Sequence, residues 1–271
     1  MTIRAGLVDA FTDRPFRGNP AAVVLLDSEA PADDWLQALA AEFNLSETAF
    51  VQPLGNATYR LRWFTPTTEV ELCGHATLAA AHWLRHTGLD DATDVVFHTA
   101  SGALTATWSP PAGITLDLPA IPIAVDLPLA GITEALGGAG LRYLGHTGQS
   151  NPRERNAVCL GSAATVRELE PDMRAVAALP VGGVIVTAPG DEDGIDFVSR
   201  YFAPAAGIDE DPVTGSAHCT LGPYWAEELG RTTLRAFQAS SRGGWLRVVV
   251  DGGRVLLTGH AVTTADVLVH E

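Results

Sequence analysis

Apolar and polar residues alternate along much of this chain in short stretches typical of β-strands, and longer stretches have the spacing of helices. Asp33–Phe43 has acidic residues in its first turn, and Asn44 follows it at the position of a left-handed cap. Gly74–His86 is apolar on nearly all sides, which predicts a helix that is buried all round. Four strands are predicted in the same half of the chain: 7–11, 21–26, 47–52 and 59–64.

The second half of the chain has a similar pattern. Residues 216–228 predict a helix, although Gly222 and Pro223 interrupt the pattern and should kink the helix or restart it. Residues 248–250 and 255–258, on either side of 251–253, predict a hairpin. Each half therefore predicts strands wrapped around one central helix.

The similarity of the halves is an internal repeat in the sequence itself. Residues 62–66 (RWFTP) lead to 73–76 (CGHA), and residues 200–204 (RYFAP) lead to 214–217 (TGSA), with three additional residues in the second copy. Such a repeat indicates duplication of a whole structural unit. Four further pairs of blocks keep the same order: 19–24 with 156–160, 34–39 with 172–177, 49–53 with 185–189, and 97–104 with 237–246.

The boundary between the copies is predicted within residues 118–128. This segment has prolines at 119, 122 and 128, which can continue neither a helix nor a central strand. We therefore expect two domains, 1–120 and 121–271, with the final strands able to cross back to the first domain. A chain of 271 residues with 46% hydrophobic content is long enough for two cores.

Composition excludes several functions. The net charge of −15, from 17 basic and 32 acidic residues, argues against nucleic acid or an anionic membrane as a partner. All 17 basic residues are arginine, so pyridoxal-phosphate chemistry and a Walker A loop, which both need lysine, are excluded. Three widely spaced cysteines form no disulfide framework, and neither a leader pattern nor a membrane-length apolar run is present. We expect a cytoplasmic protein.

Five segments in this order resemble the signature blocks of the PhzF, or phenazine-biosynthesis-like, isomerase family: 16–23 (FRGNPAAV), 45–50 (LSETAF), 64–66 (FTP), 71–77 (ELCGHAT) and 210–218 (EDPVTGSAH). The resemblance implies an α+β fold like that of diaminopimelate epimerase, with two pseudo-symmetric domains, each a β-barrel wrapped around a central helix. It also implies an active site between the domains, no cofactor, and a homodimer, which is common in the family.

Cys73 and Thr214 occupy equivalent positions in the two copies. An epimerase of this fold uses one cysteine from each half, on opposite faces of the substrate carbon, but a threonine hydroxyl is far too weak an acid or base for that role. Two-thiol racemisation is therefore excluded. We interpret Cys73 as a small buried residue at a helix start.

Glu47 has no counterpart in the second copy, where Gly183 takes its place. A glutamate at a strand start is ordinarily a solvated surface residue. The resemblance implies instead that Glu47 is the general acid/base, which moves a proton between two carbons on one face of the substrate. This role requires a pKa raised toward neutrality by burial.

The resemblance gives His75 and Asp211 supporting catalytic roles, and it makes Asn19 and Ser216 substrate-binding residues. Structural alternatives remain, namely a buried histidine for His75, a helix-capping carboxylate for Asp211 and a helix cap for Ser216. Backbone N–H groups at the two helix starts are expected to hold a substrate carboxylate, with about 0.3–1 kcal/mol from each helix end. These groups belong to Gly74, His75, Gly215 and Ser216.

Other chemistries fit the sequence less well. Neither Cys73 with His75 nor His218 with Cys219 has the spacing of a zinc site, so no metal is expected. Ser216 lacks the G-x-S-x-G context of a hydrolase nucleophile. We therefore expect a cofactor-independent isomerase acting on a small anionic, carboxylate-bearing metabolite. The alternatives are an epimerase or tautomerase of the same fold, or a ligand-binding or interaction module without turnover.

Overall fold

The computed structural model describes residues 2–27, 31–137, 140–148 and 155–270. The chain forms two compact units, one of Met1–Leu118 with Leu256–Glu271 and one of Pro119–Val255. The division lies two residues before the expected boundary at 120/121. The last residues of the chain belong to the first unit, because their strand pairs along its whole length with the first strand of the chain.

The first unit consists of nine strands and two helices among its described residues. Its strands are β1 (Thr2–Ala10), β2 (Asn19–Leu25), β3 (Glu47–Gly55), β4 (Thr58–Phe64), β5 (Glu69–Val70), β6 (Asp94–Thr99), β7 (Gly102–Ser109), β8 (Gly113–Pro119) and β17 (Ala261–His270). Its helices are α1 (Asp33–Phe43) and α2 (Gly74–His86). Strands β1 and β2 are antiparallel, β2 and β3 parallel, β3 and β4 antiparallel, β4 and β6 parallel, and β6 and β7 antiparallel.

The second unit repeats this order of pairings. Its strands are β9 (Ile123–Ala124), β10 (Arg142–Thr147), β11 (Asn156–Leu160), β12 (Gly183–Pro189), β13 (Phe197–Phe202), β14 (Thr233–Gln238), β15 (Gly244–Asp251) and β16 (Arg254–Gly259), the last of which continues into the first unit. Its helices are α3 (Ile132–Ala135), α4 (Ala163–Glu168), α5 (Met173–Ala178) and α6 (Gly215–Leu229). Strands β10 to β15 alternate between antiparallel and parallel pairs just as β1, β2, β3, β4, β6 and β7 do. The repeat in the sequence is therefore a repeat of topology.

Strand register corrects one detail of the repeat. Val23 pairs with Ala49 in the first unit, and Val158 pairs with Ile185 in the second. Since Ala49 and Ile185 are equivalent, Val23 corresponds to Val158. The sequence match of 19–24 with 156–160 was therefore shifted by two residues, and Asn156 does not correspond to Asn19.

The central helix of the first unit is the buried helix that the sequence predicts. Among its thirteen residues, only His82, Arg85 and His86 are not buried. It packs against β1, β2, β3, β7 and β17. Helix α1 ends at Asn44, which has a φ of 50° and forms the predicted left-handed cap. Among the described residues, no helix is long and apolar enough to cross a membrane.

Helix α6 continues through Pro223 as one element, so of the two predicted outcomes, a kink or a restart, the restart is wrong. A proline has no N–H to donate to the carbonyl four residues earlier, which here is that of Cys219. The N–H of Ile121 donates to this carbonyl instead, at 3.0 Å. The linker between the repeats thus provides the hydrogen bond that Pro223 cannot make.

Candidate active site

Glu47 is the first residue of β3 and pairs with Ala21 of the parallel strand β2. Only 15% of its side chain is exposed, so the carboxylate is largely removed from water. Its Oε2 atom lies 3.3 Å from Nε2 of His75. The glutamate that the sequence singled out is therefore not a solvated surface residue, and it contacts one of the predicted site residues.

His75 is the second residue of α2, and its side chain is almost completely buried. Its Nδ1 atom lies 3.1 Å from Nδ2 of Asn19. Since an amide NH₂ group can only donate, Nδ1 accepts this hydrogen bond and the proton of the neutral ring resides on Nε2, facing Glu47. Burial lowers the pKa of His75 to about 3, so the ring is neutral near pH 7. The contact between His75 and Glu47 is thus that of a neutral ring with a carboxylate, and its geometry is not that of a hydrogen bond.

Asn19 is the first residue of β2 and is completely buried. Its backbone pairs with Ala10 at the end of β1, which fixes the position from which its side chain reaches His75. Asn19, Glu47 and His75 thus come together from three elements. In this arrangement Asn19 orients His75, a role that sequence reasoning did not assign to it.

Cys73 is the N-cap residue of α2 and is buried, as predicted. Its side chain makes no capping hydrogen bond, so the N-cap position provides no side-chain acceptor to the first turn, which begins at Gly74. The Sγ atom lies 3.5 Å from Nδ1 of His75. Sequence reasoning did not predict this contact, because a cysteine two residues before a histidine has no characteristic geometry until the helix start is fixed.

The ligand atoms of Glu47, Cys73 and His75 all lie within 4.8 Å of one another, so their suitability for a metal can be tested. Cys73 approaches Nδ1 of the ring, whereas Glu47 approaches Nε2. A single ion binds only one ring nitrogen, so one of these two side chains would have to move to the other side of the ring. Asn19 moreover occupies Nδ1 as a hydrogen-bond donor. The arrangement fits a proton network better than a metal shell.

The second unit holds the remaining predicted residues around the start of α6. The carboxylate of Asp211 accepts a hydrogen bond from the hydroxyl of Thr214, and both residues are buried. The N-cap residue of α6 is Thr214, rather than Asp211 or Ser216. Gly215 and Ser216 are the first two residues of α6, the positions that Gly74 and His75 hold in α2.

Gln238 is a buried residue of this second cluster that sequence reasoning missed. Its Oε1 atom accepts the N–H of Thr214 at 2.8 Å, and its Nε2 group donates to the carbonyl of Asp211 at 2.7 Å. It lies at the end of β14, and no sequence signal connects it with a motif 24 residues earlier. Gln238 thus holds the backbone of the loop before α6.

Gly183 shows how the second unit differs from the first at the position of Glu47. A Cβ atom on Gly183 would lie 2.6 Å from the hydroxyl of Tyr201 and 2.9 Å from Oδ1 of Asn156. These two groups form a hydrogen bond of 2.9 Å. The space that a side chain would need is therefore occupied by a structural contact, and among the described elements only the first repeat has a carboxylate at this position.

Comparison with known proteins identifies the family of the chain. A family model described as phenazine biosynthesis-like protein, PhzC-PhzF, matches residues 8–267. The chain belongs to the PhzC-PhzF family. An uncharacterized isomerase of Pseudomonas aeruginosa is 49% identical over 260 residues, which cover 96% of this chain and 95% of that protein. The crystal structure of a PhzF-family phenazine biosynthesis protein from Enterococcus faecalis matches with a TM-score of 0.89 at 40% identity, covering 100% of both chains.

Membership of the PhzC-PhzF family confirms the predicted enzyme class, and the protein is an isomerase. The fold is also shared with a hydroxyproline epimerase from Agrobacterium vitis, at a TM-score of 0.67 and 14% identity over 99% of this chain and 91% of that one. At this identity the match concerns the fold alone. The predicted fold class, an α+β diaminopimelate epimerase-like fold built from two repeats, is confirmed.

Proposed function

We propose that Glu47 is the single general acid/base of a cofactor-independent isomerisation, in which a proton moves between two carbons of a small carboxylate-bearing metabolite. The observation that carries this proposal is the contact of Glu47 with a neutral His75, in the one repeat that has a carboxylate at this position. Two further features support it, namely the low exposure of Glu47 and the absence of a second thiol opposite Cys73.

A single carboxylate is enough to remove and return the proton in such a reaction. Ionised Glu47 removes a proton from one substrate carbon, and the electron pair of the broken C–H bond delocalises into the adjacent unsaturated group. The protonated carboxyl then returns this proton to a second carbon, and Glu47 is again ionised. Nε2 of the neutral His75 lies 3.3 Å from Oε2, and the other carboxylate oxygen is proposed to carry the proton.

Substrate binding is proposed to use the starts of both central helices. The N–H groups of Gly74 and His75 in α2, and of Gly215 and Ser216 in α6, would hold the substrate carboxylate, as anions are held at helix N-termini. Asp211, tied to Thr214, is proposed to contribute a polar group to the same reaction. A protein with a net charge of −15 can bind an anion in this way because backbone dipoles act locally.

The proposed partners are small anions rather than nucleic acid or a membrane, and the proposed assembly is a homodimer. We propose the cytoplasm as the compartment, since the three cysteines of the sequence are buried and none of them forms a disulfide. A homodimer would be recognised by light scattering of the purified full chain.

The test of Glu47 is deuterium incorporation from D₂O into small carboxylates that bear an acidic C–H group. The native chain is expected to exchange this hydrogen, and Glu47→Gln to lose exchange by about 100-fold or more while remaining folded, because the amide keeps the shape but cannot carry a proton. Glu42→Gln, on the exposed face of α1, is the matched control and should exchange normally.

Each outcome of this experiment discriminates among the candidate functions. Full exchange in Glu47→Gln excludes one-base chemistry at this residue. An exchange that inverts the reacting carbon without moving the double bond indicates an epimerase. Binding of a carboxylate without exchange in the native chain favours the ligand-binding module.

A further inference from the structure

The loop between β1 and β2, residues 11–18, borders the cluster of Glu47, His75 and Asn19. It begins after Ala10 and ends at Asn19, which pair with each other across the hairpin. Because β2 and β3 are parallel, the first residues of both strands lie at the same edge of the sheet, and Glu47 is the first residue of β3. The loop therefore leaves the sheet at the edge where the proposed acid/base is located.

Phe16 is the residue of this loop that is hardest to explain by folding alone. Its side chain is 75% exposed. No other aromatic residue among the exposed large hydrophobic side chains of the described residues has so large an exposed fraction. Its φ of 65° is in the left-handed region, which bulky residues rarely adopt. The left-handed backbone of a bulky residue disfavours the folded state, and the exposed ring contributes no burial to it, so neither property is explained by folding.

The surrounding structure holds Phe16 in this conformation. Its N–H donates to Oδ2 of Asp9 at 2.6 Å, and only 3% of Asp9 is exposed. A buried carboxylate in the preceding strand thus fixes the backbone of Phe16. Gly18, with a φ of 64°, closes the loop so tightly that a Cβ atom there would lie 2.1 Å from the carbonyl oxygen of Ala10. These contacts therefore fix the conformation of the loop.

Phe16 is close to the site along the chain. Two residues separate it from Asn19, whose side chain contacts His75, and the three Cα–Cα steps from Phe16 to Asn19 span at most about 11 Å. An exposed phenyl group at this distance can reach the carbon skeleton of a small molecule bound beside Glu47. The polar cluster itself presents an amide, an imidazole and a carboxylate, which recognise polar groups and leave the apolar part of a substrate without a partner.

We propose that Phe16 is a specificity-determining residue, which contacts a flat apolar portion, a ring or an alkenyl group, of the carboxylate bound at the site. This inference rests on the proposed function, because it takes the substrate to bind beside Glu47. Aromatic rings make favourable offset or edge contacts with other flat unsaturated groups, and a backbone fixed by Asp9 lets the ring do so without being ordered on binding.

The experiment compares the binding of benzoate and acetate to the full chain by ligand-observed NMR titration. Both probes present a carboxylate, but only benzoate has a ring. The native chain is expected to bind benzoate about tenfold more tightly than acetate. Phe16→Gly, which adopts positive φ without strain, should bring this ratio close to one while the affinity for acetate stays the same. Phe16→Tyr keeps the ring and should keep the preference.

Trp245→Ala is the matched control, because Trp245 is an exposed aromatic residue on β15, outside this loop, and its removal should leave the ratio unchanged. The inference is overturned if the native chain has no preference for benzoate, including the case in which neither probe binds. It is also overturned if Phe16→Gly keeps the preference or weakens both probes equally.

Glu47→Gln separates this inference from the proposed function. The variant should keep the preference for benzoate, since the ring contact does not depend on proton transfer. If Glu47→Gln exchanges deuterium normally, the proposed function is wrong. The preference for benzoate is tested separately, by the Phe16 variants.

Discussion

Nδ2 of Asn19 lies 3.1 Å from Nδ1 of His75, and this contact determines which ring nitrogen carries the proton that faces Glu47. The amide donor on Nδ1 leaves Nε2 as the protonated nitrogen of a neutral ring. A neutral donor can support an ionised carboxylate without holding it permanently as a salt bridge. In the proposed function Glu47 accepts a proton and releases it again, which a permanent salt bridge would oppose.

Asn19→Asp should reverse this tautomer. An aspartate accepts rather than donates, so Nδ1 of His75 must carry the proton and Nε2 loses the hydrogen that faces Glu47. We expect deuterium exchange to fall by about 10- to 100-fold, the scale of effects from residues that orient a reacting group. The ¹⁵N chemical shifts of His75 report the change of tautomer directly. Asn56→Asp, at an exposed turn, is the control, and unchanged shifts in Asn19→Asp would contradict the assignment.

Stability should fall below about pH 6.5 because of buried histidines. Burial lowers the pKa of His75 to about 3 and that of His218 to about 4, from an ordinary value of 6.5, and it lowers the pKa of His82 in the same direction. Between pH 6.5 and the lowered pKa values, the unfolded chain binds more protons than the folded chain. The stabilisation is therefore complete above pH 6.5 and is lost as the pH falls. His75 and His218 together give a slope of at most about 3 kcal/mol per pH unit.

The measurement is the midpoint of urea unfolding at pH 8, 7, 6 and 5. We expect equal midpoints at pH 8 and 7 and a clear decrease from pH 6 to 5. His218→Gln should lower stability at pH 8, because Nδ1 of His218 lies 2.8 Å from the carbonyl oxygen of Thr214, but it should flatten the slope between pH 6 and 5. Equal midpoints from pH 8 to 5 in the native chain would contradict the lowered pKa values.

Cys73→Ser should reduce deuterium exchange by less than about tenfold, far less than Glu47→Gln does. The hydroxyl of Thr214, the counterpart of Cys73, donates to Asp211, so no second thiol is available for a two-base reaction. A serine retains a small group that can donate to Nδ1 of His75. If this variant loses as much activity as Glu47→Gln, then Cys73 takes part in the chemistry. Loss of activity on treatment with EDTA, restored by zinc, would favour the metal alternative.

How far the sequence predicts this structure depends on whether the determining contacts are local. The cap at Asn44 and the start of α2 at Gly74 follow from residues within one or two turns, and both predictions are confirmed. At Pro223 the local pattern predicted a kink or a restart, and the restart is wrong; the carbonyl that Pro223 leaves without a helical donor is bonded by Ile121, about a hundred residues away, which no local pattern shows. Likewise, the motifs identified Glu47 and His75, but the tautomer of His75 depends on a register that only the folded sheet fixes.

Gly183→Ala should destabilise the second unit. A Cβ atom at this position would lie 2.6 Å from the hydroxyl of Tyr201 and 2.9 Å from Oδ1 of Asn156, so the hydrogen bond between these groups must break or the strands must shift. Overpacking of this kind costs about 1–3 kcal/mol in the free energy of unfolding, which urea denaturation measures. Gly253→Ala is the matched control, because a Cβ atom there meets no atom within 4 Å. Equal stability of the two variants would mean that the space opposite Tyr201 is free, and that the absence of a carboxylate from the second repeat needs an explanation other than packing.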